Sequence, residues 1–336
     1  MVAVQEEGAS STALPEEDEH DLGSAEAELR AITVGFEQHG LRLDKALAEL
    51  VPELSRSYLQ QLLAQGAVRI NGVQAAKPAH KVKAADALEV EIRPTPQSQA
   101  FKAEAVAFDV VFEDAHLLVV NKPAGLVVHP APGNWSGTLL NGLLAHHAGA
   151  SLVPRAGIVH RLDKDTSGLM VVAKDRSTMD ALVHMIAQRD VRRQYLALAH
   201  RPWQGSAHRA VNAPIGRDPR NRLRMAVVDL AQHAGKSART DFDRLDGNDL
   251  GCLVQCTLHT GRTHQIRVHM AYIGHPLLAD SLYGGVPGAG MARQALHAFR
   301  LAFAHPVTGQ PMEFHAPLPS DMRAAVSEWG LGYNAP

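Results

Sequence analysis

A loop rich in charged residues precedes an apolar stretch near the middle of the chain. The loop reads His160-Arg-Leu-Asp-Lys-Asp-Thr-Ser-Gly168, and the apolar stretch continues from there to Ala173. Arg161 and Lys164 flank Asp163, and cationic neighbours favour the ionised carboxylate, which is the form that a nucleophile or a general base needs. The end of the loop, Asp165-Thr-Ser-Gly168, has the composition of a turn, so a structural capping role for this segment stays open.

Several histidines between residues 259 and 275 raise the question of a metal site. His264 and His269 are five residues apart, which is not the i, i+4 pair of a helical zinc site, and no set of carboxylates and cysteines completes a coordination shell. Cys252 and Cys256 have the same parity on an expected strand, so we expect them to pack or to lie exposed. The sequence therefore predicts no metal site and no disulfide framework.

The elements that must hold the charged loop lie in a region that we place at residues 104–325. Short apolar segments bounded by turn residues predict strands, and apolar residues at helical spacing predict helices. The expected strands cover residues 110–113, 116–121, 168–173, 194–198 and 253–258, and the expected helices cover residues 138–147, 177–189 and 264–273. Strands outnumber helices and many are joined by turns, which indicates an α+β fold with a mixed, largely antiparallel sheet and flanking helices.

A smaller unit at residues 41–92 precedes this region. Apolar residues at helical spacing from Leu43 onward predict one helix, and Ser55 is a suitable N-cap for a second helix that ends before Gly66. Residues 68–73 are typical of a strand that enters an Asn-Gly turn, and residues 87–92 alternate as a half-buried strand does. Four cations lie at the starts of these elements, where their charged ends can reach solvent together: Arg42, Lys45, Arg56 and Arg69.

The composition of the chain changes at its N-terminus. Residues 1–30 hold nine carboxylates and one cation, Arg30, with little aliphatic periodicity, and we interpret them as a disordered acidic tail. The net charge of the chain is −2, but without this tail it becomes about +6, which suits phosphate binding without establishing it. The Pro-rich residues 93–103 form a natural linker between the two units.

Overall composition limits the class of protein. With 336 residues, of which 46% are hydrophobic and 20% charged, the chain can form two globular domains. It has no run of about 18 uncharged apolar residues and no basic-then-apolar leader, so we expect neither a membrane span nor secretion. The presence of only two cysteines fits a reducing cytoplasm.

The charged loop resembles the signature of the RluA family of pseudouridine synthases, in which the Asp of His-Arg-Leu-Asp is the catalytic residue. Four further segments agree in the family's order: Val120-Asn-Lys-Pro-Ala-Gly125 with Val128-His-Pro130, Arg193-Gln-Tyr195, Thr260-Gly-Arg-Thr-His-Gln-Ile-Arg-Val-His269, and His275-Pro-Leu-Leu-Ala-Asp280 with Tyr283-Gly. The smaller unit is similar to the αL-type S4 RNA-binding domain, through Arg42-Leu-Asp-Lys-Ala-Leu47, Ser55-Arg-Ser57 and Gly66-Ala-Val-Arg-Ile-Asn-Gly72. Together the two resemblances span roughly residues 41–320.

The family resemblance implies roles for individual residues. Asp163 would act on the ribose of a uridine, either by attack on C1′ or by removal of the C2′ proton. Tyr195 would stack on the uracil and is a candidate base for the C5 proton, and Ile266 would form part of the apolar wall around the base. Arg267 would pair with Asp163 and keep it charged, with Arg262 of the same motif as its rival for this role.

The resemblance also implies how RNA is held. Arg161, next to the catalytic carboxylate, would fill the space that a flipped uridine leaves or hold its phosphate. The S4-like unit would bind structured RNA through phosphates and shape, and its candidate residues are the four cations Arg42, Lys45, Arg56 and Arg69.

The implied activity is the isomerisation of uridine to pseudouridine in large-subunit (23S) ribosomal RNA, at the helix 69 loop. The implied partner is this RNA or a precursor of the large ribosomal subunit, the family is generally monomeric, and the reaction needs neither a cofactor nor a metal. Two alternatives stay open at this point: the same chemistry at other uridines of this RNA, and a non-catalytic S4-type RNA-binding protein.

Overall fold

The computed structural model describes residues 28–75, 77–93 and 100–333. The chain divides into two compact units, with the division between residues 95 and 96.

The N-terminal unit packs two helices, α1 (Leu43–Leu50) and α2 (Arg56–Ala64), against a small antiparallel sheet. Its strands are β1 (Glu28–Thr33), β2 (Val68–Ile70), β3 (Val73–Gln74) and β4 (Ala87–Ile92), in the order β1-β4-β2-β3. Ser55 is the N-cap of α2, because its side chain accepts a hydrogen bond from the backbone N–H of Tyr58 at 3.3 Å. The apolar faces of both helices meet the inner face of the sheet, which gives this unit a hydrophobic core of its own.

The structure corrects the expected end of the acidic tail. Residues 1–27 lie outside the described residues, but Glu28 to Arg30, which we assigned to the tail, begin β1. This strand pairs antiparallel with β4, with Glu28 opposite Ile92 and Thr33 opposite Ala87. The described N-terminal unit therefore starts before residue 41. The short, mostly exposed strand has a weak apolar pattern, which is why its periodicity did not distinguish it from the tail.

The C-terminal unit is built on a large mixed sheet, which confirms the expected α+β class. Its strands are β5 (Asp109–Glu113), β6 (Leu117–Lys122), β7 (Ser167–Ala173), β8 (Arg192–His200), β9 (His208–Asn212), β13 (Arg239–Gly247), β14 (Gly251–Leu258), β15 (Leu296–Ala304) and β16 (Pro311–His315). The order is β5-β6-β7-β15-β8-β14-β13-β9, with β16 added to β15. Only β7 and β15 pair in parallel among these described strands, so the sheet is largely antiparallel.

Between β9 and β13 the chain forms a separate three-stranded antiparallel sheet. It consists of β10 (Ile215–Arg217), β11 (Met225–Val227) and β12 (Gly235–Lys236), in the order β11-β10-β12. The helices of the unit are α3 (Leu139–His146), α4 (Arg176–Gln188), α5 (Gln265–Tyr272) and α6 (Ser320–Glu328). Thr138 and Asn141 form a capping box at the start of α3, and Asp175 caps α4.

The borders of this unit also differ from those expected. Residues 94–99 of the expected linker lie outside the described residues, but residues 100–103 do not behave as a linker. Asn141 of α3 donates from Nδ2 to the carbonyl oxygens of Ala100 and Lys102, and Ala100 is buried. At the other end, Leu331 packs into the core beside α6, so the packed chain continues past residue 325.

The parallel pair of strands, β7 and β15, fixes where the charged loop ends. Gly168, the second residue of β7, has φ 118°, and a Cβ atom at this position would collide with the backbone of Ala298 on β15. Only glycine satisfies both the backbone conformation and the close approach of the two parallel strands. The loop before Gly168 is therefore held at the centre of the sheet. No helix within the described ranges is long and apolar enough to cross a membrane.

Candidate active site

An open cavity of about 660 Å³ lies in the C-terminal unit beside the charged loop. Its walls come from the loop before β7, the strand β8, the end of β14 and the start of α5. The cavity is lined by all five residues that the sequence predicts for the catalytic site: Arg161, Asp163, Tyr195, Ile266 and Arg267. The fold thus places these five residues, which lie up to 106 positions apart in the chain, around one cavity.

Asp163 is held in a line of alternating charges. Nη1 of Arg267 donates to Oδ2 of Asp163 at 3.1 Å. The other side of the same guanidinium, Nε and Nη2, donates to both carboxylate oxygens of Asp280 at 2.7 and 2.8 Å. Side-chain exposure rises along the line, from 1% at Asp280 to 9% at Arg267 and 18% at Asp163. Asp280 therefore fixes the guanidinium from the buried side, and Asp163 meets it at the cavity.

The surroundings of Arg267 keep it charged. Burial alone would lower the pKa of its guanidinium, but the hydrogen bonds and charge of Asp280, together with the charge of Asp163, raise it above its ordinary value. The ring of Tyr283 lies 5.0 Å from Arg267 Cζ, which adds a cation–π contact. The carboxylate of Asp163 is therefore paired with a permanent cation. Arg262, the rival for this position, instead donates from Nε to the carbonyl of Ser237.

His264 forms a second contact near the carboxylate. The hydroxyl of Tyr283 accepts a hydrogen bond from the backbone N–H of Met225 at 3.0 Å and forms a second hydrogen bond with His264 Nδ1 at 2.8 Å. His264 Nε2 lies 3.9 Å from Asp163 Oδ1. Burial lowers the pKa of His264, against the opposing charge of Asp163, so the neutral imidazole is favoured. Its backbone adopts a left-handed conformation, φ 56°, a strained arrangement for a residue other than glycine.

Tyr195 and Ile266 form the apolar side of the cavity. Tyr195 is 5% and Ile266 4% exposed. Burial raises the pKa of Tyr195 to about 12, with Arg193 opposing the shift and Asp163 adding to it. The phenol is thus protonated at neutral pH in the free protein. Arg161 lies at the cavity as an exposed side chain.

Lys122 anchors the loop that carries Asp163 from behind. Its side chain is fully buried, and Nζ donates to the carbonyl oxygens of Pro123 and Leu126 at 2.9 Å and of Lys164 at 3.0 Å. Burial lowers the pKa of Lys122 to about 7, while the charges of Asp165 and Asp163 oppose this shift. In its protonated form the amine has three donors for three carbonyl acceptors, one of which belongs to the residue after Asp163.

Replacing Lys122 with methionine should therefore destabilise the protein. The substitution leaves three carbonyl oxygens without a partner, at a cost of about 3 kcal/mol or more in the free energy of unfolding. We expect the melting temperature to fall by about 6 °C or more, and turnover to fall with it because the loop loses its anchor. The exposed Lys102→Met variant is the control, and equal melting temperatures for the two variants would contradict the anchoring role.

The four cations predicted in the N-terminal unit are all exposed. Arg42 is partly engaged, because it donates from Nε and Nη2 to Asp44 at 3.0 and 3.3 Å, and the hydrogen bond and charge of Asp44 raise its pKa. The charge of Arg56 also acts on Asp44, which places these two cations near one another. Lys81, which forms a backbone bridge with Arg42, is a further exposed cation that the sequence reasoning missed.

Other candidates for chemistry take no part in the cavity. Cys252 and Cys256 are both buried as free thiols, and burial raises their pKa values, to about 12 for Cys252. His269 is buried between the Thr240 hydroxyl and the Ala213 carbonyl. In the part of the chain that the structure describes, no group of three or more His, Cys, Asp or Glu side chains is placed to hold a metal ion.

Sequence reasoning did not assign three residues that shape the site, Asp280, Tyr283 and Lys122. Each lies in a segment that we compared with the family, but none stands beside a residue with an expected role. A signal was present for Lys122, since a lysine at the end of an apolar strand must find partners if it is buried. For Asp280, 13 residues beyond Arg267, only the folded chain reveals the contact.

The sequence model of the RNA pseudouridylate synthase family matches residues 116–272, and that of the S4 domain matches residues 41–88. A relative from Neisseria meningitidis serogroup B, named ribosomal large subunit pseudouridine synthase D, is 48% identical over 92% of this chain and 85% of its own length. A relative of the same name from Nitrosomonas europaea is 46% identical over 96% of this chain and 94% of its own length.

Two solved structures resemble about two thirds of this chain. The human RNA pseudouridylate synthase domain containing 1 has a TM-score of 0.52 and 26% identity, over 66% of this chain and 89% of its own. The human RNA pseudouridylate synthase domain containing 4 has a TM-score of 0.50 and 24% identity, over 68% and 95%, and shows a likeness of fold alone.

Proposed function

The chain belongs to the RNA pseudouridylate synthase family, with an S4 domain before the catalytic domain, and from this premise we propose that it isomerises uridines of large-subunit (23S) ribosomal RNA, with Asp163 as the catalytic carboxylate. The family resemblance noted in the sequence is thereby confirmed. The names of the relatives support ribosomal RNA as the substrate. We place the modified uridines in the helix 69 loop, on the basis of the sequence resemblance.

The observation that carries this proposal is the charge line from Asp280 through Arg267 to Asp163. It ends with a carboxylate at the wall of a cavity that also holds the ring of Tyr195. An ionised, oriented carboxylate beside a buried aromatic ring is what a reaction on the sugar of a stacked nucleotide needs. A non-catalytic RNA-binding protein would have no use for this arrangement.

The chemistry of the reaction fits these residues. The N1–C1′ bond of uridine breaks and a C5–C1′ bond forms, while C5 loses a proton and N1 gains one, so atoms and electrons balance without a cofactor. Asp163 can begin the sequence either by attack on C1′ or by removal of the C2′ proton, and both routes start from the ionised form that Arg267 stabilises. Tyr195 supplies a flat surface for the uracil, and Ile266 closes the apolar wall.

The uridine must leave its stack to enter the cavity. This costs a few kcal/mol in a duplex and less in a loop, which favours a loop uridine as the target. Arg161, exposed at the cavity, is positioned to hold the flipped nucleotide or to take its place. We infer that the protein acts as a monomer on 23S RNA or on a large-subunit precursor.

Pseudouridine mapping tests the proposal directly. The purified protein is incubated with unmodified 23S RNA and, in parallel, with a large-subunit precursor, and every uridine is mapped. We expect new pseudouridine in the helix 69 loop. Modification confined to other uridines would retain the activity and reject helix 69, whereas no pseudouridine in either RNA would reject the activity.

The exposed cations of the S4 domain should govern capture of the RNA. We expect the triple variant Lys45→Gln, Arg56→Gln, Arg69→Gln to bind 23S RNA about tenfold or more weakly at 0.1 M salt. The plot of log K against log salt should become less steep, its slope decreasing in magnitude by about 2, because three phosphate contacts are lost. A triple variant with equal charge loss, Lys102→Gln, Arg176→Gln, Arg244→Gln, is the control from exposed sites outside the cavity. Equal slopes for the two variants would reject the assigned face.

A further inference from the structure

Two buried nitrogen atoms have no hydrogen-bond partner among the described residues, Arg193 Nε and His160 Nδ1. Both residues line the cavity that holds Asp163. Buried polar groups in folded proteins are almost always paired, so each exception needs a reason. Because both unpaired nitrogens belong to residues of the same cavity, we infer that a bound ligand supplies their hydrogen-bond acceptors.

Arg193 is the more informative of the two. It lies on β8 two residues before Tyr195, so both side chains point to the same face of the sheet. Its guanidinium lies against Gly261, where an added Cβ would come within 3.1 Å of Nη1. Neither an ion pair nor a hydrogen bond from the described residues reaches the guanidinium, and burial lowers its pKa.

Arg193 differs from Arg267, the other buried arginine of the cavity, in having no ion pair among the described residues. Both arginines are buried to the same degree and both line the cavity. Arg267 contacts two carboxylates, Asp163 and Asp280, whereas no carboxylate of the described residues contacts Arg193. A buried cation without a counter-charge destabilises the folded protein. A substrate that carries a negative charge would supply the missing counter-charge and would explain why an arginine is buried at position 193.

His160 offers a second donor close by. Its Nε2 accepts a hydrogen bond from the backbone N–H of Val171 at 3.1 Å, so in the neutral ring the proton is on Nδ1. Burial, with the nearby charge of Arg193, lowers the pKa of His160 to about 3, which keeps the ring neutral. The unpaired Nδ1–H is thus a donor without an acceptor.

The charge of the cavity indicates what the acceptor is. One carboxylate, Asp163, lines it, against six arginines: Arg155, Arg161, Arg189, Arg193, Arg262 and Arg267. Uracil and ribose bring only neutral oxygens, and these would solvate the Arg193 cation without cancelling its charge. The phosphates are the anionic groups of RNA, and arginine binds them with charge-assisted hydrogen bonds.

We propose that Arg193, with His160 Nδ1–H as a second donor, binds a backbone phosphate that adjoins the target uridine. This inference rests on the proposed function, since the phosphate is that of an RNA whose uridine occupies the cavity. Arg193 thereby fixes the position of the nucleotide relative to Tyr195 and Asp163.

The Arg193→Met variant tests this through binding and stability together. We expect its affinity for the helix 69 stem-loop RNA to fall about tenfold, and the slope of log K against log salt to fall by about 0.7, the value for one phosphate contact in a single strand. Its melting temperature should equal or exceed that of the unaltered protein, because an uncompensated buried charge is removed. Arg176→Met, an exposed arginine outside the cavity, should change neither affinity nor slope.

A neutral phosphate analogue identifies the acceptor. Methylphosphonate is placed at the linkage on either side of the uridine that the mapping experiment identifies. One of the two should weaken binding about tenfold in the unaltered protein and have no effect in Arg193→Met. The proposal would be overturned if neither methylphosphonate weakened RNA binding by the unaltered protein. It would also be overturned if Arg193→Met had a lower melting temperature and an unchanged slope of log K against log salt. If no uridine is modified, the proposed function fails, and the salt slope of Arg193→Met still decides whether the phosphate contact exists.

Discussion

Replacing Asp163 with asparagine is expected to lower turnover of the RNA by at least about 10³-fold while leaving RNA affinity within about threefold. The amide has the shape of the carboxylate but can neither attack C1′ nor accept the C2′ proton. Affinity should persist because it comes chiefly from phosphate contacts elsewhere on the protein. Single-turnover release of tritium from C5-labelled uridine measures the first quantity, and filter binding at fixed salt measures the second.

The neighbouring Asp165 provides the matched control. It lies in the same loop and carries the same charge, but it does not line the cavity. Asp165→Asn should keep turnover within about tenfold of the unaltered protein. If Asp163→Asn and Asp165→Asn retained similar turnover, the loop would supply only charge and Asp163 would not be the catalytic carboxylate.

The second large effect is expected at Asp280, which does not line the cavity and acts through Arg267. Asp280→Asn replaces one accepting oxygen with an amide donor, so a guanidinium N–H that now donates to Asp280 at 2.7 or 2.8 Å meets a donor instead. Breaking a buried ion pair by removing one partner costs about 3–5 kcal/mol in the free energy of unfolding. Arg267 should then turn toward Asp163 and displace it, and a shift of about 1 Å can cost about 100-fold in rate.

The result should be a lower kcat with little change in KM, since Asp280 contacts the guanidinium and not the RNA. Steady-state kinetics and thermal unfolding check the two parts of this expectation. Glu313→Gln is the control, because Glu313 forms a similar two-bond contact with Arg300 at the surface. It should leave kcat and the melting temperature nearly unchanged. A kcat for Asp280→Asn equal to that of Glu313→Gln would show that Asp280 does not position Arg267.

The local pattern was enough to predict eight of the sixteen helices and strands described in the catalytic domain. The expected helix at residues 264–273 appears as Gln265–Tyr272, and the expected strand at residues 168–173 as Ser167–Ala173. The strand is buried on both faces, and it was predicted because it is a short, continuous apolar run that follows turn residues. The N-terminal strand Glu28–Thr33 was missed because four of its six residues are exposed and the whole strand lies at the edge of the sheet, so an apolar period is absent.

By itself, the sequence determined the family, the order of the two domains and Asp163 as the candidate carboxylate, since these depend on residue types at short spacings along the chain. Only the tertiary structure decided that Asp280 holds Arg267 against Asp163, that Lys122 anchors the loop and that Arg193 has no partner. Charge pairing and burial depend on distances between segments that are far apart in the chain. Those distances are set by sheet order and strand register, which a one-dimensional pattern does not contain.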